Sequence, residues 1–234
     1  MKKLLFMVGL MMVAIILTNC SKSSDDEVTE FENPMEKAGQ IHNQGLKIVL
    51  SNFGDIPNTN AGIREKTVQL IRTNSDLQAL FSQDLSNANF DFDFPEVNAA
   101  GELDLEQWVN EMDISDQLKV AVLETFTILE TSATLDKIVK DVKEKEKNAA
   151  NRFNGAELDT YYSHLAVAKY SAAFWSPESE GGENGIKYLD LDDGVAYEVN
   201  WGYVYAMDCA GTVIGGTSIA ITMSATTLLE ELKN

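Results

Sequence analysis

Hydrophobic residues recur at helical spacing through most of the chain, and polar residues separate the runs. The first run extends from about residue 34 to residue 53, and the preceding Asn33-Pro34 suits a helix N-cap and first turn. Polar residues that suit the N-caps of later helices are Asn58-Thr59-Asn60, Asn74-Ser75, Ser115 and Thr134. The pattern predicts a mainly α, bundle-like single domain over residues 34–234.

The run that follows Asn154-Gly155 is apolar on nearly every side, unlike the other helical runs. A helix without a polar face is normally buried, so we expect this one at the centre of the bundle. The charged run before it, residues 143–147, is expected to be a solvated helix end. Trp108 is expected to be the apolar anchor of a short helix over residues 105–112.

Helical spacing stops after Trp175, where Pro and Gly predict a loop rich in Gly and acidic residues at 176–194. Alternating residues on both sides of Asp193-Gly194 favour a short β-hairpin near 187–199. A helix over residues 195–208 fits the same pattern nearly as well. The sequence leaves this choice open.

Residues 201–229 form an apolar segment that is rich in small residues. Glycines four residues apart, Gly211 and Gly215, have the spacing that lets membrane helices approach closely. Threonines and serines dilute the segment, however, and few of its residues prefer lipid strongly. We therefore expect a tightly packed core helix that is bent or broken at Gly215-Gly216, with membrane insertion of 209–229 as the alternative.

The N-terminus has the layout of an export signal. Lys2 and Lys3 supply a positive start, and residues 4–17 form an uncharged apolar run of 14 residues. This run is shorter than the roughly 20 residues that a transmembrane helix needs, and its length is typical of a signal peptide. The run is followed closely by Cys20, which is one of only two cysteines. The pattern predicts a signal peptide over residues 1–19.

Leu17-Thr18-Asn19-Cys20 resembles the bacterial lipobox, although Asn19 stands where that motif has a small residue. The resemblance implies that the Cys20 sulfur receives a diacylglycerol and that the new N-terminus is acylated, for example with palmitate. The chain would then be a lipoprotein held to a membrane by its N-terminal lipid. The alternative is an uncleaved signal anchor in which Cys20 is an ordinary thiol.

Residues 20–33 are predicted to form an acidic, disordered tether because they contain little that could be buried. The start of this tether resembles the acidic tracts that follow the lipidated cysteine in surface lipoproteins of Bacteroidota. Short phrases further on are similar to uncharacterised lipoproteins and secreted proteins of the same group: Asn33-Pro34, Gly39, His42-Asn43, Leu46 and residues 172–175. The resemblance implies a helical domain anchored to the outer membrane and exposed at the cell surface.

The chain is strongly acidic, with 18 Lys and Arg against 37 Asp and Glu and a net charge of −19. Loss of residues 1–19 would remove two lysines and make the charge more negative still. Such a charge argues against a nucleic-acid partner, because binding to nucleic acid requires basic residues that neutralise phosphates. With Cys20 lipidated, Cys209 would have no partner for an intrachain disulfide.

Two acidic clusters have partial likeness to calcium-binding loops. Residues 96–107 resemble an EF-hand loop, in which Asn98 and Asp104 fall at ligand positions, but Gln107 stands where a bidentate Glu should close the site. Asp190 and Asp192 belong to the second cluster, which also lacks the closing Glu. A glycine turn with acidic neighbours explains both clusters, so neither a metal nor another cofactor is expected.

The two histidines, His42 and His164, lack the spacing of the common metal and nucleophile motifs. Glu157, Tyr161 and His164 share one face of the predicted central helix, which permits a buried hydrogen-bond network. We expect these four side chains to be buried polar groups with partners in the core rather than ligands or catalysts.

Three functions remain open at this point. The leading hypothesis is a non-catalytic surface module that binds a protein or a small ligand. A hydrolytic enzyme that uses carboxylates with Tyr161 and His164 is the second, and it requires those two side chains to line an open cleft. The third is a membrane-active antagonist, such as a toxin or bacteriocin-like protein, that acts through residues 209–229.

Overall fold

The computed structural model describes residues 31–82, 85, 90, 104–189 and 199–233. Within this part of the chain all regular structure is helical, which confirms the predicted mainly α fold. The α-helices are α1 (Glu36–Ser51), α2 (Asn60–Thr73), α3 (Ser75–Phe81), α4 (Leu105–Glu111), α5 (Asp116–Thr131), α6 (Leu135–Asn148), α7 (Gly155–Trp175), α8 (Trp201–Gly215) and α9 (Thr217–Lys233). Short 3-10 turns at Ala149–Asn151, Glu178–Glu180 and Gly185–Tyr188 join some of them.

Helix α7 lies at the centre, as the sequence predicts, and contacts α1, α6, α8 and α5. Most of its residues are buried, on every side of the helix. The second central element is α9, which packs on α8, α1 and α2. Every residue of α9 from Ile219 to Glu230 is buried. The core is therefore formed by α1, α7 and the α8–α9 pair, and the other helices surround it.

Helices α8 and α9 form a tight hairpin across Gly216, the break that the sequence predicts at Gly215-Gly216. Gly216 has a φ angle of +80°, which an L side chain rarely adopts. Further along the hairpin, a Cβ on Gly211 would lie 2.4 Å from Cα of Ala220, so only glycine permits this approach. Residues 209–229, the candidate membrane-active segment, lie within this hairpin.

Four predicted helix starts are confirmed by side-chain caps. Thr59 accepts a hydrogen bond from the backbone N–H of Gly62, and Asn74 accepts two from the first turn of α3. Ser115 and Thr134 cap α5 and α6 in the same way. The expectation at Asn33 is met in part: α1 begins three residues later, but Asn33 Oδ1 accepts the backbone N–H of Met35 at 2.8 Å in the preceding turn, while the amide nitrogen donates to other helices.

Two further local predictions are corrected by the structure. The buried anchor of α4 is Val109, which is completely enclosed, while Trp108 is only half-buried. The charged run 143–147 is not wholly solvated, because Glu146 is buried and paired with Lys169 of α7. Both errors have the same cause, since the side of each helix that faces the core depends on its neighbours.

The β-hairpin predicted near 187–199 falls mostly outside the described residues. Residues 190–198 are not described, and Tyr188, which lies within the predicted hairpin, ends a 3-10 turn instead. The described residues contain no strand. Nor does any helix among them combine the length and the apolar character needed to cross a membrane.

Candidate functional site

Tyr161 and His164 are brought together inside the core, at the contact of α7 with α8. Both side chains are fully buried, and their rings stack with centroids 6.1 Å apart. His164 Nδ1 lies 3.0 Å from the carbonyl oxygen of Cys209, and because a carbonyl only accepts, Nδ1 carries the proton. Burial lowers the pKa of His164 to about 4 and raises that of Tyr161 to about 12. Both groups are therefore neutral at pH 7 and enclosed rather than set in a cleft.

Glu157 does not join this pair, although it shares their face of α7. Its carboxylate accepts a hydrogen bond from the hydroxyl of Ser115, the N-cap of α5, near the surface. The bond connects the first turn of α7 to the first turn of α5. The structure therefore provides no acid–Tyr–His network of the kind that the spacing permits.

His42 is fully buried on α1 and has a local partner. Its Nδ1 lies 3.1 Å from the side-chain oxygen of Asn43, whose amide nitrogen donates to the carbonyl of Tyr170 at 2.8 Å. Burial lowers the pKa of His42 to about 4. The second ring nitrogen, Nε2, is enclosed without a hydrogen-bond partner among the described residues. The arrangement joins α1 to α7 through Asn43.

The calcium candidates are not assembled in the described structure. Asp104 is the N-cap of α4, and its carboxylate accepts the backbone N–H of Gln107 at 2.8 Å. Asn98, Asp190 and Asp192 lie outside the described residues. In the described ranges, no group of three or more His, Cys, Asp or Glu side chains could hold a metal ion.

A buried carboxyl that the sequence analysis did not select, Asp208, lies where α7, α8 and α9 meet. Its Oδ2 accepts hydrogen bonds from the hydroxyl of Ser171 and from Nε1 of Trp175, the latter at 2.8 Å. Burial raises the pKa of Asp208 to about 7, against the opposing effect of Ser171, Ser224 and Trp175. One feature of the sequence could have identified it: Asp208 is the only charged residue in the segment 201–229.

A second missed cluster is built on Lys169, a lysine in the mostly apolar C-terminal part of α7. Its Nζ lies 2.7 Å from Oε2 of Glu36 on α1 and 3.2 Å from Oε1 of Glu146 on α6. Asn33 donates to the same Glu146 oxygen at 2.7 Å and to the carbonyl of Tyr162 at 2.9 Å. These contacts bind the N-terminal end of the helical domain to its central helix.

One open groove runs along the outer face of α2, with a volume of about 600 Å³. It is lined by Arg64, Glu65, Val68, Gln69, Arg72, Thr73 and Phe90. The guanidinium of Arg72 lies over the ring of Phe90, 5.3 Å from its centre, and Arg64 Nε is 2.9 Å from Glu230 Oε1 of α9. The groove thus combines an aromatic and aliphatic floor with polar groups, as small-ligand sites commonly do.

Comparison with known proteins does not extend this description. No protein-family model matches the chain, and neither a curated protein nor a solved structure is significantly similar to it.

Proposed function

We propose that this chain is a lipoprotein, anchored to the outer membrane by Cys20, whose helical domain is a non-catalytic binding module exposed at the cell surface. The main support for this anchor is the position of Cys20, which closely follows a basic start and an apolar run of signal-peptide length. The acidic residues that follow suit a spacer between the lipid and the folded domain.

Binding rather than catalysis is favoured by where the reactive side chains lie. Tyr161 and His164, the best catalytic candidates, are enclosed in the core and do not line a cleft. The groove on α2 has a volume within the usual range for small-ligand sites, which is about 300–1,000 Å³. We therefore assign ligand binding to this groove.

Metabolic labelling with an alkyne fatty acid tests the anchor directly. The wild-type protein should take up the label, and Cys20→Ala should lose it completely. Cys209→Ala is the matched control, because Cys209 is the only other cysteine and is fully buried. Labelling that survives Cys20→Ala, or wild type without label, would refute lipidation. Digestion of the protein by protease added to intact cells tests surface exposure.

A large side chain introduced into the groove tests whether the ligand binds there. Gln69 is exposed on the groove wall, so Gln69→Trp should abolish any ligand-induced rise in melting temperature found in a screen of small molecules and peptides. Lys140→Trp, at an exposed position of α6, serves as the control and should retain the response. If both variants respond as wild type does, the ligand binds elsewhere; turnover of a substrate would contradict the non-catalytic assignment.

A further inference from the structure

Asp208 lies in the core of the domain, where α7, α8 and α9 meet. The residue belongs to α8, and its two hydrogen-bond donors, Ser171 and Trp175, both belong to α7. Ser224 of α9 is near enough to this carboxyl to lower its pKa, although its hydroxyl makes no hydrogen bond of ordinary geometry within the described residues. The side chain of Asp208 is completely enclosed. A change in the charge of Asp208 therefore alters the stability of the contact between α7 and the α8–α9 hairpin.

No cation balances this carboxyl within the part of the chain that the structure describes. The side chains that face it from α7 and α9 are neutral donors, and no charged group of α5, which also packs on α8, acts on it. The titratable groups that respond to its charge, Tyr205 and Cys209, are on α8 itself and are neutral at pH 7. An ionised carboxylate here would be a buried charge without a counter-ion, which is strongly unfavourable.

The two oxygens of the Asp208 carboxyl have different surroundings. Oδ2 accepts from both Ser171 and Trp175, so its lone pairs are occupied. Oδ1 is enclosed and has no hydrogen-bond partner among the described residues. The neutral carboxyl carries no charge that needs a counter-ion, whereas the ionised form leaves an uncompensated buried charge.

We propose that Asp208 is a pH-sensitive latch, which holds the α8–α9 hairpin on α7 while the carboxyl is neutral and loosens it when the carboxyl ionises. The raised pKa of about 7 means that the carboxyl stays neutral in the closed state below about that pH. In the closed state the pKa is about 7, whereas an exposed Asp has a pKa of about 3.9. Opening is therefore favoured progressively as pH rises from about 4 to 7, and the effect is complete above pH 7.

His164 provides another polar bond between α7 and α8, and it has the opposite pH dependence. Its lowered pKa means that acid, rather than base, opposes its burial. A measurement on wild type alone would combine the two effects. A comparison with a variant that lacks only the Asp208 carboxylate separates them, because the contribution of His164 is common to both proteins.

Amide hydrogen exchange of the full chain in mild detergent, read by mass spectrometry on peptides from α8, measures the latch between pH 5 and pH 8.5. The ratio of the wild-type opening constant to that of Asp208→Asn should increase about tenfold per pH unit up to pH 7 and then level off. Asp159→Asn, on the exposed side of α7, is the control and should give a ratio independent of pH.

A pH-independent ratio for Asp208→Asn would overturn the proposal. Ser171→Ala keeps the test decisive if Asp208→Asn does not fold. This variant removes a donor that favours the ionised carboxylate, so the rise in opening should extend to higher pH than in wild type. A Ser171→Ala opening constant that differs from wild type by the same factor at every pH would equally refute the latch.

Discussion

The ammonium of Lys169 lies 3.2 Å from a carboxylate oxygen of Glu146, and both side chains are almost completely enclosed. Removal of one buried charge leaves the other without its partner, which costs about 3–5 kcal/mol in comparable pairs. Lys169→Met should therefore lower the free energy of unfolding by roughly that amount, as measured by urea denaturation at pH 7. The double variant Lys169→Met with Glu146→Leu should recover much of the loss, since no enclosed charge is left unpaired and Glu36, the other partner of Lys169, is partly exposed to solvent.

The exposed ion pair between Lys187 and Glu178 is the control for this cycle. Lys187→Met should leave the free energy of unfolding unchanged within error, because solvent screens such pairs. If Lys169→Met were equally silent, Glu146 would not be buried as the structure shows. A double variant less stable than either single one would mean that packing, rather than charge, dominates the cluster.

Acid should destabilise the protein through its two buried histidines. Both have a folded-state pKa of about 4, below the ordinary value of 6.5, so the unfolded chain binds more protons in that interval. The stabilisation is complete above pH 6.5 and is lost as pH falls to about 4, by about 3 kcal/mol for each histidine. Asp208 acts in the opposite direction and offsets part of this loss.

Urea denaturation between pH 4 and pH 7 measures this effect. The slope of the unfolding free energy against pH gives the number of protons that the chain takes up when it unfolds. His164→Gln and His42→Gln should each lower that number by about one, whatever effect they have on stability at pH 7. Asp208→Asn should make the dependence steeper, because the opposing carboxyl is lost. Histidine variants with the wild-type slope would contradict the burial of both rings.

The hairpin contact at Gly211 predicts opposite effects for two glycine substitutions in the same helix. Gly211→Ala places a methyl group 2.4 Å from Cα of Ala220, where backbone cannot move away cheaply, and should cost about 1–3 kcal/mol or more. Gly202→Ala meets only ordinary contacts, 3.5 Å or longer, and should be neutral or stabilising by up to about 1 kcal/mol. Thermal unfolding distinguishes the two, and equal effects would argue against the close approach.

Asn74 both ends α2 and caps α3. Its side chain should therefore contribute more to the free energy of unfolding than its exposure suggests. Its oxygen accepts the backbone N–H groups of Asp76 and Leu77 at 2.9 and 3.1 Å. Asn74→Ala should cost about 1 kcal/mol by urea denaturation, the usual value for a lost cap. The neighbouring exposed Ser75→Ala is the control and should have little effect. A silent Asn74→Ala would show that this short helix contributes nothing to stability.

Features that depend on neighbouring residues in sequence were predicted well. The caps at Thr59, Asn74, Ser115 and Thr134 depend on contacts within one helical turn, and the sequence identifies them directly. The burial of α7 follows from its lack of a polar face, which is equally local information. The same applies to the break at Gly215-Gly216, where the chain must reverse.

Features that depend on the packing of distant helices were not predicted. Asn33 accepts the backbone N–H of Met35, as its position suggests, but its amide nitrogen also donates to Glu146, which is 113 positions away. Glu146 itself looked solvated, because nothing within residues 143–147 shows that one side of the helix end meets Lys169. The grouping of Asp208 with Ser171 and Trp175 likewise depends on how α7 and α8 cross, which no local pattern determines.

The burial of α9 also determines when the domain can fold. Every residue from Ile219 to Glu230 fills the core, yet these residues are synthesised after α1 to α8. Until they emerge, α1, α2 and α8 present apolar surfaces that have no partner, so a native core cannot form during most of translation. Because domains generally fold as units, this domain cannot complete its fold before its last helix has been made. If the chain is exported as proposed above, this delay would keep the precursor unfolded and competent for export.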